Sequence, residues 1–402
     1  MIDANRAKEP ISMDCLLACL YFVCLPFTIV TTPFGSLLKV VTMPVIAILG
    51  IRILMGKSEL AFNYIQFFYA IYILYTVMLL FVFSDEMATV TTKDMVLGLL
   101  MMFLITIRIY NSRERELMET AWVIMGVFCI FVCLGSTEVV SNVESRAVIR
   151  VFGFEEDQNQ FCAYFIMPVL ISLKRFIERR RGYLIYLLII ILAFYAILKT
   201  GSRGGLIGVF AGAVTYIVIG IRDFKIKLLV MAAAAAGAVL FWTVVMPMLP
   251  EDVAMRYSVE AVTKDGGTGR FDIWKFLIEY TMQRPERLIR GSGIFSTYGI
   301  MQAEGFKNGV AHNAFVQLLN DQGTIGIVLF SAVGVMCILR NIKKAPVYAC
   351  AFISLMAFSM SLSFYVFKPY LNIMMMCAMS FLGELPEDRL KSKSKIHSSA
   401  EI

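Results

Sequence analysis

Apolar residues in this chain come in long unbroken runs, as from Tyr183 to Leu198 and from Leu228 to Met246, separated by short charged or Pro/Gly-rich breaks. Strands of a membrane barrel would alternate apolar and polar residues, so the pattern predicts helices. A bilayer span needs about 20 apolar residues, and the runs divide into about twelve such spans. They cover roughly 13–32, 36–55, 60–83, 94–110, 117–135, 160–177, 183–199, 204–221, 228–246, 313–339, 345–365 and 370–384. The expected fold is therefore all-α and polytopic in the membrane.

Composition sharpens this reading. Of the 402 residues 59% are hydrophobic and only 17% charged, which a soluble core cannot accommodate. The nine cysteines all lie in apolar runs without a Cys-x-x-Cys pair, so they read as small buried residues. Only His312 and His397 are histidines, which leaves no histidine-rich metal site. The net charge of +7 matters through its placement and does not point to nucleic acid. On alternate short connections, 22 Lys and Arg fall on one side and seven on the other. That bias puts the richer side, with both termini, in the cytoplasm. Asp14 and the lack of a small-residue cleavage site make the first run an ordinary span rather than a signal peptide.

The chain divides into helices 1–9 (1–246), an extracytoplasmic loop (247–311), helices 10–12 (312–384) and a basic cytoplasmic tail (385–402). The loop holds eight basic and eight acidic residues, which suits a small folded cap. Within it, Thr268 or Gly269 would cap a helix from Arg270 to about Gln283. Its apolar side would be Phe271, Trp274, Leu277, Ile278 and Met282, lying on the membrane surface or packed on neighbouring spans. Basic residues Lys391 to Lys395 read as a solvated end near anionic lipid.

Three side chains expected on the outer face suggest chemistry. Arg203, in Thr200-Gly201-Ser202-Arg203-Gly204-Gly205, sits between two spans with almost no loop. An arginine at membrane depth requires a partner, and Ser202 capping the next helix would place outward-pointing N–H groups beside it. That arrangement suits a phosphate, whereas the plainer reading is an arginine snorkelling from a helix end. Arg270, behind Gly266-Gly267-Thr268-Gly269, repeats the pattern. Two guanidinium groups can neutralise a diphosphate without a metal. His312 follows Gly309-Val310-Ala311 at the start of the tenth span, where an imidazole suits the acceptance of a hydroxyl proton. Glu155, Glu156 and Asp157 form an outer carboxylate cluster, read as a base, a metal site or a solvated loop end.

His312-Asn313, nine intervening residues and Gly323-Thr324-Ile325-Gly326 resemble the signature of the bacterial O-antigen ligase and polymerase superfamily. Gly269-Arg270-Phe271-Asp272-Ile273-Trp274, followed by Gly291-Ser292-Gly293, resembles the segment preceding that histidine. Ser202-Arg203-Gly204-Gly205 resembles the intramembrane arginine motif. The resemblance covers roughly residues 150–340, and the first five spans match only in character.

It implies a GT-C type membrane glycosyltransferase with an undecaprenyl-diphosphate-linked glycan as donor and no cofactor. His312 would take the base position, and Arg203 and Arg270 those of the essential arginines. Ser202, Asn313 and Asn159 would assist binding. Asp157-Gln158-Asn159 departs from relatives that carry a proline before the asparagine, which weakens the role of Asn159.

The expected reaction is a metal-independent, inverting transfer to a glycan or lipid acceptor, such as lipid A core, at the outer face of the bacterial cytoplasmic membrane. Ligase and polymerase both stay open, although the His-Asn, nine-residue, Gly spacing leans to ligase. A transporter or flippase would also suit twelve spans. Such proteins carry internal repeats and midplane charges, whereas the polar groups here gather at one face.

Overall fold

A computed structural model describes residues 9–56, 60–83, 86–136, 138–140, 145–147, 149–248, 270–306, 309–363 and 368–382. Its first ten α-helices are α1 (Met13–Val23), α2 (Leu37–Leu54), α3 (Tyr64–Val82), α4 (Glu86–Thr106), α5 (Ser112–Gly135), α6 (Gln158–Cys162), α7 (Ile166–Ile177), α8 (Tyr183–Lys199), α9 (Arg203–Thr215) and α10 (Phe224–Leu240). Six more follow: α11 (Arg270–Met282), α12 (Pro285–Arg290), α13 (Ser296–Ala303), α14 (Ala314–Asn341), α15 (Pro346–Ser359) and α16 (Lys368–Ala378). A helix lies in every predicted span, and among the described residues eight helical stretches have the length and hydropathy to cross a membrane. The protein is an all-α polytopic membrane protein.

Side-chain caps decide where many helices begin. Ser12, Ser36, Asn63, Asn111, Asp157, Ser202 and Asn313 each accept an N–H of the first turn, which the helix itself cannot satisfy. Several spans depart from their sequence limits. The first stops at Val23, because the following turn Leu25–Thr28 contains Pro26 and leads into a hairpin pairing Thr31–Thr32 with Gly35–Ser36. The fourth begins earlier, at Glu86, where Asp94 pairs with Lys39 of α2 at 2.7 Å. The sixth is divided into α6, a 3₁₀ turn and α7.

The segment Ile166–Ser172 of α7 is buried throughout, with α5, α8, α9 and α15 around it. Small residues permit this closeness. A Cβ on Gly126 of α5 would run into the ring of Pro168, and Cβ atoms on Gly208 and Gly212 of α9 would strike Phe358 and Ser354 of α15. The Ser354 hydroxyl then donates to the Gly208 carbonyl at 2.6 Å. By contrast, α10 has no buried side chain among its described residues and lies at the periphery. Eight of the nine cysteines are buried, as their apolar surroundings suggest.

Several basic residues of the charge-rich side are committed to buried acids. Asp14 holds Arg52 and Arg108, while Glu119 accepts from Lys174 at 2.9 and 3.0 Å and from the Tyr348 hydroxyl at 2.8 Å. These pairs bind α1, α2 and the residues just after α4 together, and α5, α7 and α15.

The described part of the 247–311 segment comprises α11, α12 and α13, folded against α14. Ile273 and Leu277 of α11 meet Met301 and Ala311 in a small apolar cluster, with Trp274, Phe276, Phe306 and Val316 beside it. Of the expected apolar side, Leu277 is buried and Trp274 and Ile278 are half-buried, whereas Phe271 and Met282 are exposed; Ile273, Leu277 and Thr281 form the buried side. The caps expected at Thr268 and Gly269, and the basic tail with His397, lie outside the described residues.

Candidate functional site

The Arg203 turn is built by Gly201 and Ser202. After α8 ends at Lys199, Gly201 adopts φ +67°, which a glycine takes without strain, and α9 begins two residues later. Ser202 is buried. Its Oγ accepts from the Gly205 N–H at 3.1 Å and donates to Asn159 Oδ1 at 2.8 Å. Asn159 is thereby joined directly to the arginine motif despite its departure from the family pattern. Arg203, partly buried, stands in the first turn at the positive end of the α9 dipole.

The neighbouring carboxylates do not act as one group. Glu155 pairs with Arg150 at 2.7 Å across an exposed hairpin, and Asp157 caps α6 by accepting from the Gln160 N–H at 2.8 Å. Glu156 is different, since partial burial pushes its carboxyl up to about 7.

Arg270 opens the described part of α11, and Trp274, one turn later, ties this helix to the histidine. The indole Nε1–H donates to the Ala311 carbonyl at 2.8 Å. His312 follows, with φ +51°, a left-handed conformation that costs a non-glycine residue about 1 kcal/mol or more. Its other neighbour, Asn313, is buried and caps α14, its Oδ1 accepting from the N–H groups of Phe315 and Val316 at 3.0 and 3.2 Å. A hydrogen-bonded carbonyl on one side and a helix cap on the other hold the histidine backbone in place.

The glycine motifs downstream mark a backbone crossing. Gly323 interrupts α14 with φ +68° and ψ −167°, which frees carbonyls just before it. Those of Asn320 and Asp321 accept from the N–H groups of Ser292 and Gly293 at 2.7 and 3.0 Å. A Cβ on Gly291 would fall on the Asp321 carbonyl, and one on Gly323 on the Ile289 carbonyl. The buried Asp321 carboxylate accepts from the Ser296 hydroxyl at 3.1 Å and from the Thr297 N–H and hydroxyl at 2.9 and 2.6 Å, thus capping α13. Tyr75 of α3 donates to the Gln322 carbonyl at 2.8 Å and anchors the crossing to the membrane helices.

The stretch 361–363 touches both the arginine turn and the histidine helix. Gly204 packs closely on Ser361 and Phe358, and two residues after Ser361, Ser363 donates to Gln317 Oε1. The Gln317 backbone N–H in turn donates to the Asn313 carbonyl at 3.0 Å. Four polar side chains in the first turns of α14 (Gln317, Asn320, Asp321 and Gln322) are buried. Sequence reasoning passed over them as the nine residues between Asn313 and Gly323. Their polarity inside an apolar run was the available signal.

Residues 187–331 match the family model described as O-antigen ligase, a stretch containing Arg203, Arg270, His312 and the Gly323 crossing. The teichuronic acid biosynthesis protein TuaE of Bacillus subtilis (strain 168) is 26% identical over 156 residues. The alignment covers 36% of this chain and 32% of that relative's length. The fold defines a polytopic membrane protein. Over residues 187–331 the chain is similar to the O-antigen ligase family.

Proposed function

We propose that the protein transfers a glycan from an undecaprenyl-diphosphate carrier to an acceptor hydroxyl on lipid A core or another surface acceptor. The observation that carries this reading is the support given to His312: a left-handed backbone fixed by Trp274 and the Asn313 cap, within the family-matched segment. His312 accepts the acceptor's hydroxyl proton as its oxygen forms a bond to the anomeric carbon. The bond from that carbon to the diphosphate breaks with inversion, and its electron pair leaves on the carrier.

Arg203 and Arg270 stabilise the charge that collects on the diphosphate. A diphosphate is a good leaving group, so protonation by a general acid is not required. The two guanidinium groups take the charge-neutralising role of a divalent cation. Asn159 and Ser202 position the Arg203 turn, while Asn313 positions the histidine. The site faces the exterior or periplasmic side of the cytoplasmic membrane, in keeping with the charge bias of the short connections. The described helices α11, α12 and α13 cap this face.

The relative named for teichuronic acid biosynthesis favours a second reading, a polymerase that joins repeat units of a surface glycopolymer. Glycan length in a deletion strain separates the two: a ligase defect leaves full-length carrier-linked chains, and a polymerase defect leaves single repeats. For the chemistry, His312→Ala should lower turnover by roughly 10² to 10⁴ with donor binding little changed. Arg203→Lys and Arg270→Lys should lower turnover and weaken donor binding as well, because the planar fork is lost. Wild-type transfer by His312→Ala at matched membrane expression would remove the base assignment.

A further inference from the structure

The segment that carries His312 has a second neighbour that the transfer mechanism does not use. The Tyr298 ring of α13 lies directly against Gly309, so closely that any Cβ there would penetrate it. The same ring is tied from its other end, since Gln302 Nε2, one turn along the helix, donates to the Tyr298 hydroxyl at 2.8 Å. Thr297 and Met301 face inward, which leaves Tyr298 on the outer side of α13 with 44% of its surface exposed. Gly299, Gln302 and Glu304 are exposed on the same short stretch. This is a polar rim, not the apolar stripe of a lipid-facing helix.

An oriented, exposed aromatic ring set against the glycine three residues before the candidate base suits a particular kind of ligand. A pyranose ring has one face of contiguous C–H groups and a rim of hydroxyls. Its C–H face is drawn to the negative face of an aromatic ring, while the hydroxyls remain in water or bond to polar neighbours. We propose that Tyr298 is the platform of an acceptor subsite, on which the sugar whose hydroxyl faces His312 stacks. The proposal rests on the transfer reading above and adds the chemistry by which the acceptor is recognised. Gly309 is required because the platform lies on its Cα, and Gln302 sets the tilt of the ring.

Full-length protein in nanodiscs can be titrated with methyl glycosides of glucose, galactose, mannose and N-acetylglucosamine, followed by saturation-transfer NMR. Wild type should bind at least one of them, with saturation strongest on the C–H protons of one face. Tyr298→Phe keeps the ring and should retain Kd within about twofold, whereas Tyr298→Leu should weaken it about tenfold. If Tyr298→Leu does not fold, Gln302→Ala serves, and its release of the ring should weaken binding about threefold. Unchanged Kd in Tyr298→Leu, or in Gln302→Ala where that variant stands in, overturns the proposal. Absence of saturation on every glycoside with wild type does so too. His312→Ala should bind the glycoside as wild type does. Normal glycan transfer by that variant would refute the base while leaving the stacking result intact, so the two readings fail separately.

Discussion

Trp274 and Ala311 are joined by a 2.8 Å hydrogen bond from the indole Nε1–H to the carbonyl immediately before His312. Through it, the helix that begins at Arg270 and the left-handed backbone of the histidine form one unit. Trp274→Phe keeps the ring packing and removes the donor. Turnover should fall about tenfold, the equivalent of one hydrogen bond's worth of positioning, while the unfolding temperature changes little. Steady-state transfer assays with thermal unfolding in detergent check both. An unchanged turnover would mean that His312 is held without this bond.

The crossing of Gly291 and Gly323 should tolerate no side chain. Both residues have positive φ, at +80° and +68°, and each Cβ would meet backbone of the other segment. Gly291→Ala and Gly323→Ala should each destabilise the protein by roughly 2 kcal/mol or more. Gly299 is the internal control, since it lies mid-helix in α13 with no atom near its would-be Cβ. Gly299→Ala should be neutral or stabilising by up to about 1 kcal/mol. Thermal unfolding of the three variants tests the contrast, and equal effects would refute the crossing.

Glu156 should make stability depend on pH. Its carboxyl is pushed from 4.5 up to about 7, mainly by burial, so the folded chain holds a proton that the unfolded chain has already released. Across this window the folded state binds more protons, and stability falls as pH rises from about 4.5 through 7. Glu156→Gln, which stays neutral, should flatten that part of the profile. Unfolding midpoints across the window provide the measurement. A profile as steep in the variant as in wild type would place the titration elsewhere.

Transfer should persist in excess chelator. Glu155 is occupied by Arg150 and Asp157 by its helix cap, and the proposed mechanism assigns the diphosphate to Arg203 and Arg270. Purified protein with a lipid-diphosphate glycan should keep its rate after metal removal. Loss of activity restored by magnesium or manganese would transfer the diphosphate's stabilisation from the arginines to a cation.

Much of this protein is local and so was readable along the chain. The twelve apolar runs predict the helices because a bilayer demands length and continuity of hydropathy, both properties of consecutive residues. Ser202 as a cap and the Arg270 helix were legible for the same reason, since a cap and its N–H groups lie within three residues. Tertiary contacts decided the rest. The buried face of α11 is Ile273, Leu277 and Thr281, while Phe271 and Met282 of the apolar side are exposed. Gly291 and Gly323 are thirty-two positions apart in sequence, and only their backbone contact explains why neither carries a Cβ. Asp321 could be noticed as a charge in an apolar run, but its partners Ser296 and Thr297 come from another helix. Hydrophobic burial selects which residues leave water, and chain order suffices to predict it. The partner that satisfies a buried polar group is selected by three-dimensional approach, which only the packed helices establish.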